Sequence, residues 1–147
     1  MRFKLAGAIV AGLLLTAVSA APADAATNTI TVGSVTLTNR VLVMVPITVV
    51  CDPLQGPDFD STVVVTVTQA SGKAVATGQV INETVPTPLF TCDSVTQNNL
   101  VIDVLPNAGS PPFHGGKAIV QASFGIFSFA SGLDEGGSTT VTVSIRG

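Results

Sequence analysis

Val41-Leu42-Val43-Met44-Val45-Pro46-Ile47-Thr48-Val49-Val50-Cys51 is the stretch that decides the fold class. Val41, Val43, Val45, Ile47, Val49 and Cys51 occupy alternate positions. In extended backbone such residues share one face, whereas a helix scatters them around its circumference. β-Branched side chains dominate the run, and their stiff χ1 suits a pleated, half-buried surface. The reading is a strand with one face on a core and a cysteine aimed inward at its end. Pro46 has no amide to give to a ladder, which predicts that this strand lies at a sheet edge or is bulged there.

The same pattern recurs along the chain. Val- and Thr-rich runs separated by Gly, Pro, Asn and Asp predict strands over 29–38, 41–50, 62–69, 74–81, 98–105, 118–129 and 139–145. Alternation turns Val63, Val65 and Val67 inward, and likewise Leu100, Ile102 and Val104. It does the same for Ala118, Val120, Ala122 and Phe124, and for Val141, Val143 and Ile145. The phase breaks twice. It moves from Ile30 and Val32 to Val35 and Leu37 across Gly33-Ser34, as expected of a first strand that switches between two sheets. At Gly125-Ile126-Phe127-Ser128-Phe129 it blurs, which predicts a bulge that turns Phe127 and Phe129 inward. Without the bulge, these two rings form an exposed apolar patch for a partner.

No segment carries a helical period. About seven antiparallel strands separated by turn signals predict an all-β protein, an immunoglobulin-like β-sandwich, with an open barrel as the alternative. The chain contains neither Trp nor Tyr. It therefore lacks the buried tryptophan and the tyrosine corner of antibody-type domains.

The N-terminal end predicts the compartment. Arg2 and Lys4 precede an uncharged apolar run from Leu5 to Val18, and Ala23-Asp24-Ala25 places small residues where a signal peptidase reads. Residues 1–25 read as a cleaved secretory signal peptide, and 26–147 as one β-sandwich domain. No later apolar stretch reaches transmembrane length, and no lipid-modified cysteine or C-terminal anchor is indicated. Secretion is the expected fate, without membrane insertion after cleavage. Cys51 and Cys92 are the two cysteines, and an even count in an oxidising compartment predicts one disulfide. Their spacing is far from Cys-x-x-Cys, and a lone His114 cannot complete a zinc site.

Charge narrows the partners. After the signal, Arg40, Lys73, Lys117 and Arg146 stand against Asp52, Asp58, Asp60, Glu83, Asp93, Asp103, Asp134 and Glu135, a net of −4. Such a balance argues against nucleic-acid binding and against polybasic attachment to membranes. If successive strands run up and down, every one of these acids except Asp103 falls at one end of the sandwich and the bases at the other. The plain reading of that separation is solubility. The sharper one is an acidic pole that takes a cation, a small ligand or a basic partner. Asp52, Asp58 and Asp60 lack the alternating oxygens, central Gly and terminal Glu of a calcium loop. A Cys51–Cys92 bridge would pin two of the acidic loops together.

Catalytic chemistry finds little footing. His114 lies in Pro111-Pro112-Phe113-His114-Gly115-Gly116, a turn-rich loop at the basic end, away from its acidic would-be partners. Paired carboxylates at the acidic pole could do glycosidase work, but no Trp or Tyr offers a sugar platform. Gly115-Gly116 and Gly136-Gly137 are followed by no Lys-Ser/Thr and are not phosphate loops. Asn82-Glu83-Thr84 matches a glycosylation acceptor, a pattern frequent by chance. Phe90 and Phe113 read as loop anchors. The expectation is a non-enzymatic exported protein, with no catalytic residue, metal or cofactor, in a structural or protein-interaction role. The alternative is a cation- or small-ligand-binding module at the acidic loop end.

Some residues together look familiar. Val65-Thr66-Val67-Thr68-Gln69 leads to Gly72 and Gly78, Thr91-Cys92-Asp93 follows, and Pro112-Phe113-His114-Gly115-Gly116-Lys117-Ala118 feeds Val120 and Ala122. This resembles the small secreted immunoglobulin-like domains of unknown function in exported bacterial proteins, notably actinobacterial ones. The resemblance spans most of the chain after the signal. It implies a disulfide-closed sandwich and carries over no catalytic or ligand residue.

Overall fold

The computed structural model describes residues 28–39, 41–53, 59–84 and 90–147. The signal-peptide reading, Arg40 and Asp58 lie outside the described residues. Within them the chain is all-β, with eight strands in two antiparallel sheets stacked as a sandwich. The strands are β1 (Thr29–Val32), β2 (Thr36–Thr38), β3 (Leu42–Val50), β4 (Phe59–Ser71), β5 (Ala74–Thr84), β6 (Asn98–Val104), β7 (Gly116–Ser128) and β8 (Leu133–Ile145). The first sheet holds β1, β2, β3 and β6, and the second runs β5-β4-β7-β8. The strands divide into two four-stranded sheets joined by ladder pairing only at the isolated Thr36–Arg146 bridge among the described residues, so the barrel alternative falls.

β3 is a central strand, which corrects the edge expectation. Residues 47–49 pair with β1 on one side and β6 on the other, and residues 43–44 pair likewise with β2 and β6. The physical reason lies in the neighbour. Val32 pairs with Ile47 and Thr36 with Met44, so the first strand advances one residue more than β3 and is bulged there. The Gly33 amide donates to the Pro46 carbonyl at 2.8 Å. A residue's nitrogen and carbonyl face the same neighbour, so the missing Pro46 amide faces that break. The bulge expected near Pro46 belongs to the partner strand.

The first predicted strand is thus two strands, β1 and β2. Its two halves do not switch sheets, because both pair with β3. The phase change only brings Thr36 beside Arg146, where the Arg146 amide donates to the Val35 carbonyl and the Leu37 amide to the Arg146 carbonyl.

Both sheets present the expected inner faces. Val43, Val45, Ile47, Val49 and Cys51 are buried, and so are Val63, Val65, Val67, Ile102, Val104, Val120 and Phe124. Val41 is exposed and leaves the set, because it precedes the first ladder pair of β3. Phe90 and Phe113 are buried loop anchors, and Phe90 meets Phe124 edge-on with centroids 5.7 Å apart. Along the open side of the sandwich, β5 is stitched to the chain after β6. The Asn107 amide donates to the Thr77 carbonyl at 2.7 Å, and the Thr77 amide to Ser110 Oγ at 2.7 Å. Gly78 permits that approach, since a Cβ there would run into the Leu105 carbonyl oxygen.

β7 keeps one register throughout, against both β4 and β8. The bulge expected at Gly125 is absent. Ile126 and Ser128 continue the buried phase, while Phe127 and Phe129 face outward. Continuous pairing on both flanks leaves no room for an extra residue, so local composition loses to the ladder. For the same reason β8 begins at Leu133 rather than Thr139, and the Asp134-Glu135-Gly136-Gly137 stretch is strand.

Candidate functional site

The last residues of β3 and β5 and the turn from β7 into β8 lie at one end of the sandwich. Cys51 is bonded to Cys92, which ties the exit of β3 to the loop before β6. A chain of polar contacts tightens the same end. Asn28 Nδ2 donates to Glu135 Oε2 at 3.0 Å, and Asn28 Oδ1 accepts from the Asp52 amide at 3.1 Å. Ser94 Oγ donates to Asp52 Oδ1 at 2.6 Å, and the Ser94 amide to the Cys51 carbonyl at 2.9 Å. Glu135 and Asp52 therefore hold the structure together.

Asp93 is equally occupied. Its Oδ1 accepts from the amides of Val95 and Thr96 at 2.9 and 2.6 Å, and its Oδ2 from the Thr96 hydroxyl at 2.6 Å. These bonds, the Thr96 hydroxyl first, hold the Asp93 carboxyl below its ordinary value. A depressed carboxyl steadies the folded turn above its unfolded value and loses that contribution as pH falls through the folded value. Acidification is expected to speed hydrogen exchange at the Val95 and Thr96 amides relative to Asp93→Ala, in which the acid step disappears. Identical pH dependence in the two proteins rules out this role.

The acids left facing outward flank an aromatic ring. In one cross-strand row on the outer face of the second sheet, Asp60 pairs with Phe127 and Phe127 with Asp134. Directly opposed residues of neighbouring strands stand about 5 Å apart at Cβ, which sets Asp60 and Asp134 on either side of Phe127. Phe129 joins from the following turn, edge-on to Phe127 at 5.2 Å and 87°, and is 55% exposed. The next row is Thr62, Gly125 and Gly136. Gly136 can carry no side chain, since its Cβ would meet the Phe124 carbonyl oxygen. The two glycines make a bare backbone floor.

The result is a cleft of about 200 Å³ lined by Asp60, Thr62, Gly125, Phe127, Asp134 and Glu135. That is smaller than the roughly 300–1,000 Å³ of most small-molecule sites and fits one side chain. Asp60 Oδ1 is buried without a hydrogen-bond partner. Carboxylates beside an exposed ring are chemistry for an ammonium or guanidinium group, through charge-assisted hydrogen bonds and cation–π contact. Among the described residues, no group of three or more His, Cys, Asp or Glu converges as a metal site.

The opposite end carries Lys73, Lys117, Arg146 and His114. The ring nitrogens of His114 sit 2.9 Å from the Gly115 carbonyl and 3.2 Å from that of Ala70. The main chain of His114 is gripped by buried Gln69, whose Nε2 donates to the His114 carbonyl at 2.8 Å while Oε1 accepts from its amide at 3.0 Å. A larger hollow of about 380 Å³, lined by Thr68, Ala70, Val75, Lys117, Ile119 and Thr142, offers one titratable group. Asn82 is exposed on β5.

The structure thus brings Asp52, Asp60, Asp93, Asp134 and Glu135 to one end and separates them from His114. The exposed Phe127–Phe129 patch is the alternative that the bulge at Gly125 would have removed, whereas its place between Asp60 and Asp134 was missed, because that depends on the register of β7. The signal was present in the even spacing of Ile119, Gln121, Ser123, Gly125 and Phe127. No known family model matches the chain, and neither a curated protein nor a solved structure matches it.

Proposed function

We propose that this chain is an exported, non-enzymatic immunoglobulin-like β-sandwich that serves a structural or protein-interaction role outside the cell, docking a basic, apolar segment of a partner protein at its acidic end. The carrying observation is the exposed Phe127–Phe129 ring pair set between Asp60 and Asp134. An exposed aromatic pair is the composition of an interface centre, and the acids paired across the strands from Phe127, which the exposed Val75, Ile81 and Ile119 of the same face lack, select a cationic partner. Export is supported by the reading of residues 1–25 and by the Cys51–Cys92 bond, which persists in oxidising compartments. The immunoglobulin-like reading is supported by the strand order. Three layers of strand (β1 with β2, then β3, then β6) face four, with β5 beside β4. Constant-type antibody domains instead place the fourth strand in the first sheet, so any kinship is to the wider sandwich architecture.

The test uses synthetic peptides carrying Lys or Arg next to Leu or Phe, with Glu-substituted controls, followed by amide chemical shifts. Basic peptides are expected to shift Gly125, Phe127 and Phe129, and more weakly at high salt. Phe127→Ser with Phe129→Ser should weaken binding by about 30-fold or more at unchanged melting temperature, as for other interface centres. Shifts elsewhere on the molecule, or equal binding of the Glu controls, overturn the reading.

A further inference from the structure

The sandwich has several strand edges, and they differ in length and composition. The β5 edge is tied at Thr77 to Asn107 and Ser110 in the chain after β6, and β6 is only seven residues long. The edge of the first strand is broken by the bulge between β1 and β2. β8 is different. It ends the second sheet, runs thirteen residues in one unbroken register, and beyond it no described strand follows. Its centre reads Ser138-Thr139-Thr140-Val141-Thr142-Val143-Ser144, with no charge, proline or bulge. An edge of that composition is a template for another strand.

The direction of its free backbone groups follows from Arg146. Its amide and carbonyl bond Val35 and Leu37, away from β7. Backbone groups alternate along a strand, so those of Ser144, Thr142, Thr140, Ser138 and Gly136 face the open edge too. All five residues are exposed, and the four that carry side chains present them on the outer face.

We propose that the β8 edge pairs antiparallel with β8 of a second copy of this chain, joining two four-stranded sheets across a twofold axis at Thr140. An antiparallel pair of identical strands is self-complementary. With Thr140 opposite itself, Ser138 opposes Thr142 and Gly136 opposes Ser144, and each of these is a hydrogen-bonded pair. Charge selects this register over a slip of two residues. It carries exposed Asp134 of one copy to exposed Arg146 of the other at both ends of the ladder. Backbone pairing stops at Ser144, where Val35 and Leu37 take the edge, and the Asp134–Arg146 contact is made by side chains alone.

Sedimentation velocity of the naturally processed, disulfide-bonded protein over a roughly hundredfold concentration range tests this. The expected result is a monomer–dimer equilibrium. Thr140→Lys, which sets two ammonium groups against each other on the axis, and Arg146→Glu should each weaken association about tenfold or more. The double reversal Asp134→Arg with Arg146→Glu should restore it. Thr142→Pro removes an edge-facing amide and no β7 bond, so it should abolish the dimer while keeping the β-rich circular dichroism spectrum. Three outcomes overturn the proposal: a monomer throughout the range, a dimer indifferent to Thr140→Lys, or one lost in Phe129→Ser but kept in Thr140→Lys. The last would move self-association to the aromatic site.

Discussion

Replacing both Cys51 and Cys92 with alanine is expected to lower stability by about 4 kcal/mol, the chain-entropy value for a bridge of this span. The two cysteines are 41 residues apart in sequence, and their bond closes β4 and β5 into one covalent loop. Domains of this size are stable by only about 5–15 kcal/mol, so the loss takes a large share of the total. A fall in melting temperature of roughly 15 °C should accompany it. Reducing the wild-type protein should give the same shift, since the alanines and the free thiols both release the loop. The effect should be largest at the acidic end, where the bridge is backed by the Ser94–Asp52–Asn28–Glu135 chain of hydrogen bonds. Two reactive thiols in the native protein, or a melting temperature unchanged by reduction, refute the prediction.

Gln69→Ala is expected to cost about 3 kcal/mol, more than an ordinary side-chain hydrogen bond returns. Gln69 is 1% exposed and spends its whole amide on the main chain of His114. Truncation leaves the His114 amide and carbonyl without their partners and opens a void at a buried site. The substitution should also loosen residues 111–116, seen as faster amide exchange there than in the β4–β7 ladder. Gln69→Glu separates the two halves of the interaction: its carboxylate can still accept from the His114 amide but cannot donate to the carbonyl. An intermediate loss is expected. A melting temperature within a degree or so of wild type for Gln69→Ala would show that the loop is held by Phe113 alone.

Much of this could be read along the chain. Alternation in 41–51, 62–69, 98–105 and 118–124 is a local property, and each inner face it named is buried apart from Val41 and partly covered Leu100, Val141 and Val143. The disulfide followed from cysteine count and compartment. The acid–base polarity followed from the up-and-down order of strands, since antiparallel neighbours return each loop to a known end. Where the reading failed, the missing information belonged to a neighbouring strand. Pro46 suggested an edge because its own sequence cannot reveal that the facing strand breaks at Ser34-Val35. Gly125 suggested a bulge because glycine weakens a strand in isolation, and only pairing with Thr62 and Gly136 keeps it in line.

The primary structure by itself determined which residues seek a core, which ends the charges occupy and that two sulfurs can meet, because side-chain period, loop order and thiol chemistry are set residue by residue. The tertiary structure alone decided that β3 is central, that Phe127 and Phe129 face outward between Asp60 and Asp134, and that β8 ends its sheet. Those outcomes depend on ladder register between strands far apart in the chain. Shifting a register by one residue moves every side chain to the opposite face, and no local pattern in either strand carries that choice.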